Sequence, residues 1–276
     1  MLNQLMPLMP SNLGDLRLVE PCMGGAAVFF GTAPRRAVLA DVNRDLVLLY
    51  RELRDNLDEV CGQLGLLEQS HFAAVKEGLG NDHFVRWRSR YNQAELPLLG
   101  EGPTLFGAAR AAVIVYLSKT CFNGLYRLNR DGQFNVGYCH AERHNTAIAI
   151  YRREELMSAS ELLQRAEVQC QGFEETLAVC GEGDFVFADP PYMGTFDGYT
   201  PGGFGPRKHA LFRDALERAV KRGARVMVCN SFDPDVFDLY AESGMWNVAT
   251  VARPGNMNSK GSERGAVPEY VFRNYQ

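Results

Sequence analysis

LRLVEPCMGGAAVFFGTAPRRAVLAD, residues Leu16–Asp41, reads as strand, glycine turn, short helix and second strand. Leu16–Glu20 reads as a short buried strand that ends at Pro21, which cannot continue a strand ladder. Gly24-Gly25 then lets the backbone turn sharply and admits a close ligand. Ala26–Phe30 opens a helix, and Ala37–Asp41 is a second apolar strand that stops at a carboxylate. A glycine turn between a first strand and a helix marks a nucleotide-binding α/β unit, although Met23-Gly24-Gly25 is not a GxGxxG dinucleotide fingerprint.

Outward from this unit, Leu46, Leu49, Tyr50, Leu53, Leu57 and Val60 recur at helical spacing and predict one helix. Gln69–Gly78, Asp82–Glu95 and Phe106–Lys119 also read as helices. In LYRLNRDGQFNVGY, Arg130-Asp131-Gly132 separates short apolar stretches, which predicts a β-hairpin. The α/β rhythm returns near residue 153. Strands are expected at Glu167–Gln171, Asp184–Ala188 and Arg225–Asn230, with helices at Phe173–Val179, Lys208–Lys221 and Val236–Ala241. Met193–Pro206, rich in glycine, is a loop. Trp246–Val251 and Tyr270–Asn274 are expected to pair as a closing antiparallel hairpin. Strands alternating with helices imply a mostly parallel sheet covered on both faces.

The 276 residues are 46% hydrophobic and 22% charged, a globular composition in which no apolar run is long enough to cross a membrane. The seven cysteines are scattered and never spaced as CxxC, which argues against a disulfide framework or a zinc site and fits a reducing cytoplasm. No metal ligand set is expected. His71, His83, His140, His144 and His209 read as packing or surface residues, and Trp87 and Trp246 as core filling. The net charge is −4, yet basic residues cluster in two stretches. Gly107–Arg153 holds seven (Arg110, Lys119, Arg127, Arg130, Arg143, Arg152, Arg153) against Asp131 and Glu142. Arg207–Arg225 again holds seven against two acids. Such stretches suit a phosphate backbone or, equally, solvated helix faces.

The sharpest chemical signal is Asp189-Pro190-Pro191-Tyr192, directly after the strand ending at Ala188. Ligands of open α/β sheets sit beyond the carboxyl ends of the strands. Two prolines stiffen the backbone there, so one carboxylate and one aromatic ring share a small space. The amino group of an aminopurine is a poor nucleophile because its lone pair is conjugated into the ring. Acceptors on its protons, here the Asp189 carboxylate and the Pro190 carbonyl, favour a pyramidal nitrogen that can attack an activated methyl group. Taken alone, the tetrapeptide also fits a proline turn with an acidic cap. Asp41-Val42-Asn43 is poised to bind ribose hydroxyls or, equally, to cap the next helix.

EPCMGGAAVFF, LADVN and ADPPY, in this order and with a long insert before the third, resemble the Dam-type (D12 class) adenine-N6 DNA methyltransferases. CFNGLYRLNRDGQFNVGY (Cys121–Tyr138) is similar to the hairpin of that family's target-recognition lobe, and Met257–Gly265 to its closing loop. The resemblance implies an α/β, Rossmann-like S-adenosylmethionine-dependent core with a mostly parallel sheet and an inserted, mainly helical DNA-recognition lobe carrying a β-hairpin. Residues 1–53 and 153–276 would form the core, and 54–152 the lobe. It also implies that Glu20, Pro21, Gly24, Gly25, Asp41, Asn43, Phe173 and Asp189 hold S-adenosylmethionine. Asp189, Pro190 and Tyr192 would hold an adenine flipped out of double-stranded DNA. Phe122, Asn123, Arg127, Asn129, Arg130, Lys260 and Arg264 would contact that DNA. Two departures stand out: Gly172 replaces an acidic residue common before the aromatic, and Gly137 replaces the proline of FNVP.

The expected protein is a cytoplasmic monomer without membrane contact. The alternatives are methylation of cytosine N4 or of RNA adenine, and a catalytically impaired DNA-binding protein on the same scaffold. Family members carry a segment resembling K-W-A-G-G-K shortly before the first strand. Here Leu2, Leu5, Met6 and Met9 already show the spacing of the helix that follows it, so an upstream start is expected, with a shortened, impaired chain as the alternative.

Overall fold

A computed structural model describes residues 1–93, 103–129, 131–139, 149–193, 203–254 and 266–276. In chain order its elements are α1 (Leu2–Leu5), β1 (Arg17–Glu20), α2 (Ala27–Thr32), β2 (Ala37–Asp41), α3 (Arg44–Asp55), α4 (Leu57–Lys76), α5 (Gly80–Asn92) and α6 (Pro103–Thr120). A 3₁₀ turn follows at Phe122–Gly124. Then come α7 (Arg153–Leu163), β3 (Ala166–Cys170), α8 (Phe173–Ala178), β4 (Asp184–Ala188), α9 (Pro206–Lys221), β5 (Arg225–Ser231), α10 (Pro234–Ala241), β6 (Asn247–Pro254) and β7 (Ala266–Arg273). The chain divides into two compact units, Met1–Val42 with Arg165–Gln276, and Asn43–Gln164.

The first unit is a seven-stranded sheet in the order β3-β2-β1-β4-β5-β7-β6. The first five strands run parallel, and β7 pairs antiparallel with both β5 and β6. The mostly parallel α/β sheet read from the sequence is thus the observed one. Every residue of β4 is buried, as a central strand covered on both faces requires. One side of the core joins Val19, Val186 and Val226 from the strands to Phe173 and Leu177 of α8 and Phe212 and Leu216 of α9. Trp246 packs edge-on against Tyr240, in keeping with a core-filling role. The closing hairpin is longer than expected, pairing Asn247–Pro254 with Ala266–Arg273.

The second unit is mainly helical. The single helix expected over Leu46–Val60 is two helices, because Asn56 leaves helical geometry (φ −135°, ψ 40°) and its side chain turns back to Glu52. α4 then runs unbroken to Lys76, where Gly78 adopts φ 76° and Leu79 N–H returns to Ala74 O. This is a glycine-terminated helix end. His71, His83 and Trp87 are buried. His83 Nδ1 lies 2.9 Å from the Tyr116 hydroxyl, which lies 3.1 Å from His71 Nδ1. These histidines are packing residues. His140 and His144 lie outside the described residues. The expected hairpin is present as two isolated antiparallel bridges, Cys121↔Tyr138 and Leu128↔Phe134, rather than as continuous strands.

Candidate functional site

The carboxyl end of β1 carries Glu20, which is 3% exposed. Its Oε1 accepts from the backbone N–H of Phe29 at 2.7 Å. Phe29 lies in the first turn of α2, whose own N-cap residue, Ala26, supplies no side-chain acceptor. Glu20 therefore caps that helix from the neighbouring strand. Burial pushes the Glu20 carboxyl up to about 8; the Phe29 N–H works against this and Asp189 adds to it. The turn between them is pinned by Met23 N–H to Ala40 O at 2.9 Å. Gly24 adopts φ 45°, and a Cβ added at Gly24 or Gly25 would meet nothing within 4 Å. The turn thus presents bare backbone to open space.

Asp41 closes β2 beside this turn, and its Oδ2 accepts from Gly24 N–H at 3.1 Å. At the end of β4, Asp189 is partly exposed and Pro190 is buried. Cys22 lies in the turn after β1. Burial raises its thiol first, and the carboxylates of Asp41, Asp189 and Glu174 raise it further. Burial pushes the pKa of the Tyr192 hydroxyl up, and the nearby carboxyl groups of Asp189 and of Glu269 in β7 raise it further. Glu269 is fully buried. Sequence reasoning missed it; a lone carboxylate inside an otherwise apolar closing strand was the available signal.

Phe173 opens α8, 6% exposed, with its ring edge-on to Phe212 at 4.9 Å and tilted on Phe204 at 5.8 Å. A Cβ at Gly172 would come within 3.1 Å of Glu174 Oε2. An acidic side chain, unforeseen from the sequence, thus leans over the position where the family's carboxylate is missing.

Asn43 falls in the helical unit. Its Oδ1 caps α3, accepting from the N–H groups of Asp45 at 3.0 Å and Leu46 at 3.3 Å. Phe122 is 55% exposed at the 3₁₀ turn, and Asn123 beside it takes the left-handed conformation (φ 55°). Arg127 Nε donates to Asn135 Oδ1 at 3.0 Å. The Asn129 side chain builds the hairpin turn, accepting from Asp131 N–H at 3.0 Å and Gln133 N–H at 2.9 Å. Glu20, Pro21, Gly24, Gly25, Asp41, Phe173, Asp189, Pro190 and Tyr192 thus share the sheet unit, whereas Asn43, Phe122, Asn123, Arg127 and Asn129 share the helical one. Arg130, Lys260 and Arg264 lie outside the described residues, as do most of the Met193–Pro206 loop and the Met257–Gly265 segment. Among the described residues no cluster of histidine, cysteine and acidic side chains could hold a metal ion, and no helix is long and apolar enough to cross a membrane.

A sheet of this order, with a glycine turn after β1, a carboxylate closing β2 and Asp-Pro-Pro-Tyr closing β4, defines a Rossmann-like methyltransferase. The model of the D12 class N6 adenine-specific DNA methyltransferases matches residues 1–252, and the chain belongs to that family. It is 31% identical to the type II methyltransferase M1.LlaDCHI of Lactococcus lactis subsp. cremoris, over 99% of this chain and 92% of the relative. It is 26% identical to the DNA adenine methylase of Escherichia coli K12, over 92% and 84% respectively. It is 30% identical to the DNA N-6-adenine-methyltransferase of Escherichia phage P1, over 92% of this chain but 32% of that longer protein. The chain is an adenine-specific DNA methyltransferase, and neither the RNA nor the cytosine alternative is favoured.

Proposed function

We propose that this enzyme transfers a methyl group from S-adenosylmethionine to N6 of an adenine flipped out of duplex DNA. The observation that carries the reading is the bare glycine turn after β1, flanked by the carboxyl ends of its two neighbouring strands: Asp41 closes β2 and accepts from Gly24 N–H at 3.1 Å, and Asp189-Pro190-Pro191-Tyr192 follows β4. The residues fit the cofactor. The bare Gly24-Gly25 backbone leaves room for its methionine end, Asp41 offers a carboxylate for ribose hydroxyls, and Phe173 supplies an aromatic edge. Bound there, S-adenosylmethionine supplies an electrophilic methyl group on a sulfonium sulfur.

The chain's own residues then act on the base. Tyr192 stacks on the purine. Asp189 and the Pro190 carbonyl accept from the amino group and hold its nitrogen pyramidal, so that its lone pair points at the methyl carbon. Charge that develops on nitrogen is stabilised by an acceptor already in place, which needs no reorganisation during the reaction. Phe122 would wedge into the duplex and Asn123 contact it, while Arg127 would read a base edge. Arg130, Lys260 and Arg264 would bind phosphates or bases. We expect a monomer working in the cytoplasm.

A duplex with 2-aminopurine at the target adenine tests the reading. The base should brighten on adding enzyme as it leaves the stack, and labelled S-adenosylmethionine should yield N6-methyladenine, by mass spectrometry, in the matching duplex that carries adenine at that position. Unchanged fluorescence together with product on single strands alone would reject the duplex-flipping mechanism.

A further inference from the structure

Helix α5 presents three consecutive contacts to the hairpin that the sequence reading did not include. Asn92 Nδ2 donates to Phe134 O at 3.0 Å, and Asn92 Oδ1 accepts from Phe134 N–H at 2.8 Å. One turn earlier, Arg88 donates to Val136 O at 3.0 Å. Positions four apart lie one above the other on a helix, so 88 and 92 form a single edge. That edge satisfies Phe134 N–H, Phe134 O and Val136 O, the groups that a neighbouring β-strand would otherwise pair.

The clamp decides which way the side chains of this segment point. Along an extended chain successive residues face opposite sides. Phe134 and Val136 are buried, and Asn135 between them is exposed. The Phe134 ring is gripped edge-on by Tyr91 of α5 at 6.4 Å and by Tyr126 at 5.8 Å. With Phe134 held inward, Asn135 must face out. There its N–H reaches Arg127 O at 3.2 Å and its Oδ1 takes the Arg127 Nε proton at 3.0 Å. A slip of one residue would bury Asn135 and expose Phe134. Among the described residues two isolated bridges join the two sides of the hairpin, a ladder too short to fix this register by itself.

We propose that Asn92 and Arg88 are positioning residues for target recognition: by clamping Phe134 and Val136 they fix the hairpin register that lets Asn135 orient the Arg127 guanidinium. This rests on the reading above that Arg127 contacts DNA bases. It assigns to a helix outside the hairpin a share of the enzyme's sequence discrimination.

The test begins by mapping the methylated sequence in DNA from cells that express the full chain. kcat/KM is then measured on that duplex and on duplexes with one flanking pair changed, for wild type, Asn92→Ala, Arg88→Ala, Arg127→Ala and Asn92→Ala/Arg127→Ala. A loosened fold lowers activity on every duplex alike, whereas a lost register lowers the ratio between the correct and the altered duplex. A bidentate arginine–guanine contact gives roughly tenfold or more discrimination. Asn92→Ala should therefore reduce the ratio about tenfold, and Arg88→Ala should reduce it less, at the same base pair that Arg127→Ala affects. The double variant should lose no more discrimination than Arg127→Ala alone. Should Asn92→Ala not fold, the ratio for Arg88→Ala decides. If Arg127→Ala relaxes the ratio while the α5 variants keep the wild-type value, the clamp proposal is overturned and the Arg127 reading survives. If Arg127→Ala itself leaves the ratio unchanged, the base-reading role of the hairpin fails, and the proposal with it.

Discussion

The Glu20 carboxylate caps α2 from outside the helix, accepting the Phe29 N–H at 2.7 Å while almost wholly removed from water. Burial, the main cause, raises its pKa from 4.5 to about 8. The unfolded chain then releases this proton near 4.5 and the folded chain only near 8. Between those values the folded state binds more protons, so this group's contribution to stability falls as pH rises from about 4.5 to about 8. Glu20→Gln keeps the acceptor for Phe29 and removes the ionisation. Thermal melts should show the variant gaining on wild type as pH rises, by on the order of a few kcal/mol above pH 8. Parallel melting curves from pH 5 to pH 9 would remove the buried-carboxylate assignment.

Asp189 is assigned a different part, touching the reacting amino group. Asp189→Ala should cost at least about 2.7 kcal/mol of transition-state stabilisation, roughly a hundredfold in rate, the scale of deleting one preorganised hydrogen-bonding group. Binding of DNA should largely persist because phosphate contacts come from other residues. Single-turnover methylation with a parallel gel-shift titration separates the two. A variant working at near wild-type rate moves the active site elsewhere.

Much of this is legible in the sequence alone. The strand over Asp184–Ala188 and the turn at Gly24-Gly25 follow from short apolar runs ended by proline or glycine, local signals that tertiary packing does not override. The split at Asn56 was hidden because the apolar spacing continues in step across it from Leu53 to Leu57. What determined the break was one residue's backbone angles. Glu174 and Asn92 were illegible for another reason. Each matters through a partner distant in sequence or in the hairpin's register, and a carboxylate or amide gives no local sign of what it will meet. Asn43 was legible as a cap for the next helix, which it is, whereas the use of the Asn129 side-chain oxygen on the N–H groups of Asp131 and Gln133 was not foreseen.

Tyr192 and Glu269 should behave as a unit. Glu269 is fully buried and close enough to the Tyr192 hydroxyl to raise its pKa, so the pair is expected to fix the far end of the ring assigned to the base. Tyr192→Phe and Glu269→Ala should each slow methyl transfer, and the double variant should be little worse than either. A coupling of about 0.5–3 kcal/mol is the range for side chains in direct contact. Glu269→Gln, which retains an acceptor, should recover part of the rate. Strictly additive losses in the double variant would separate the two residues.

The histidine pair of the helical unit should impose the opposite pH slope from Glu20. Burial lowers His71 and lowers His83 to about 4, with His71, Arg86 and Arg90 adding to the effect on His83. The geometry agrees. Trp87 Nε1 donates to His83 Nε2 at 3.3 Å, which requires a lone pair there, so the His83 proton sits on Nδ1 and points to the Tyr116 hydroxyl. Ser70 Oγ lies 3.0 Å from the same Nε2. Protonating Nε2 would set two N–H donors against each other inside the helical core. An unfolded histidine takes up a proton near 6.5, whereas the folded His83 resists until about 4. Its contribution to stability is therefore intact above about 6.5 and is lost as pH falls from there to about 4. His83→Gln cannot ionise but surrenders part of the hydrogen bonding. It should be less stable than wild type at pH 8, and the deficit should shrink steadily towards pH 4.5. Because Glu20 titrates in both proteins, the difference between the two melting curves isolates His83. A deficit that stays constant across that range would mean that His83 is not held neutral.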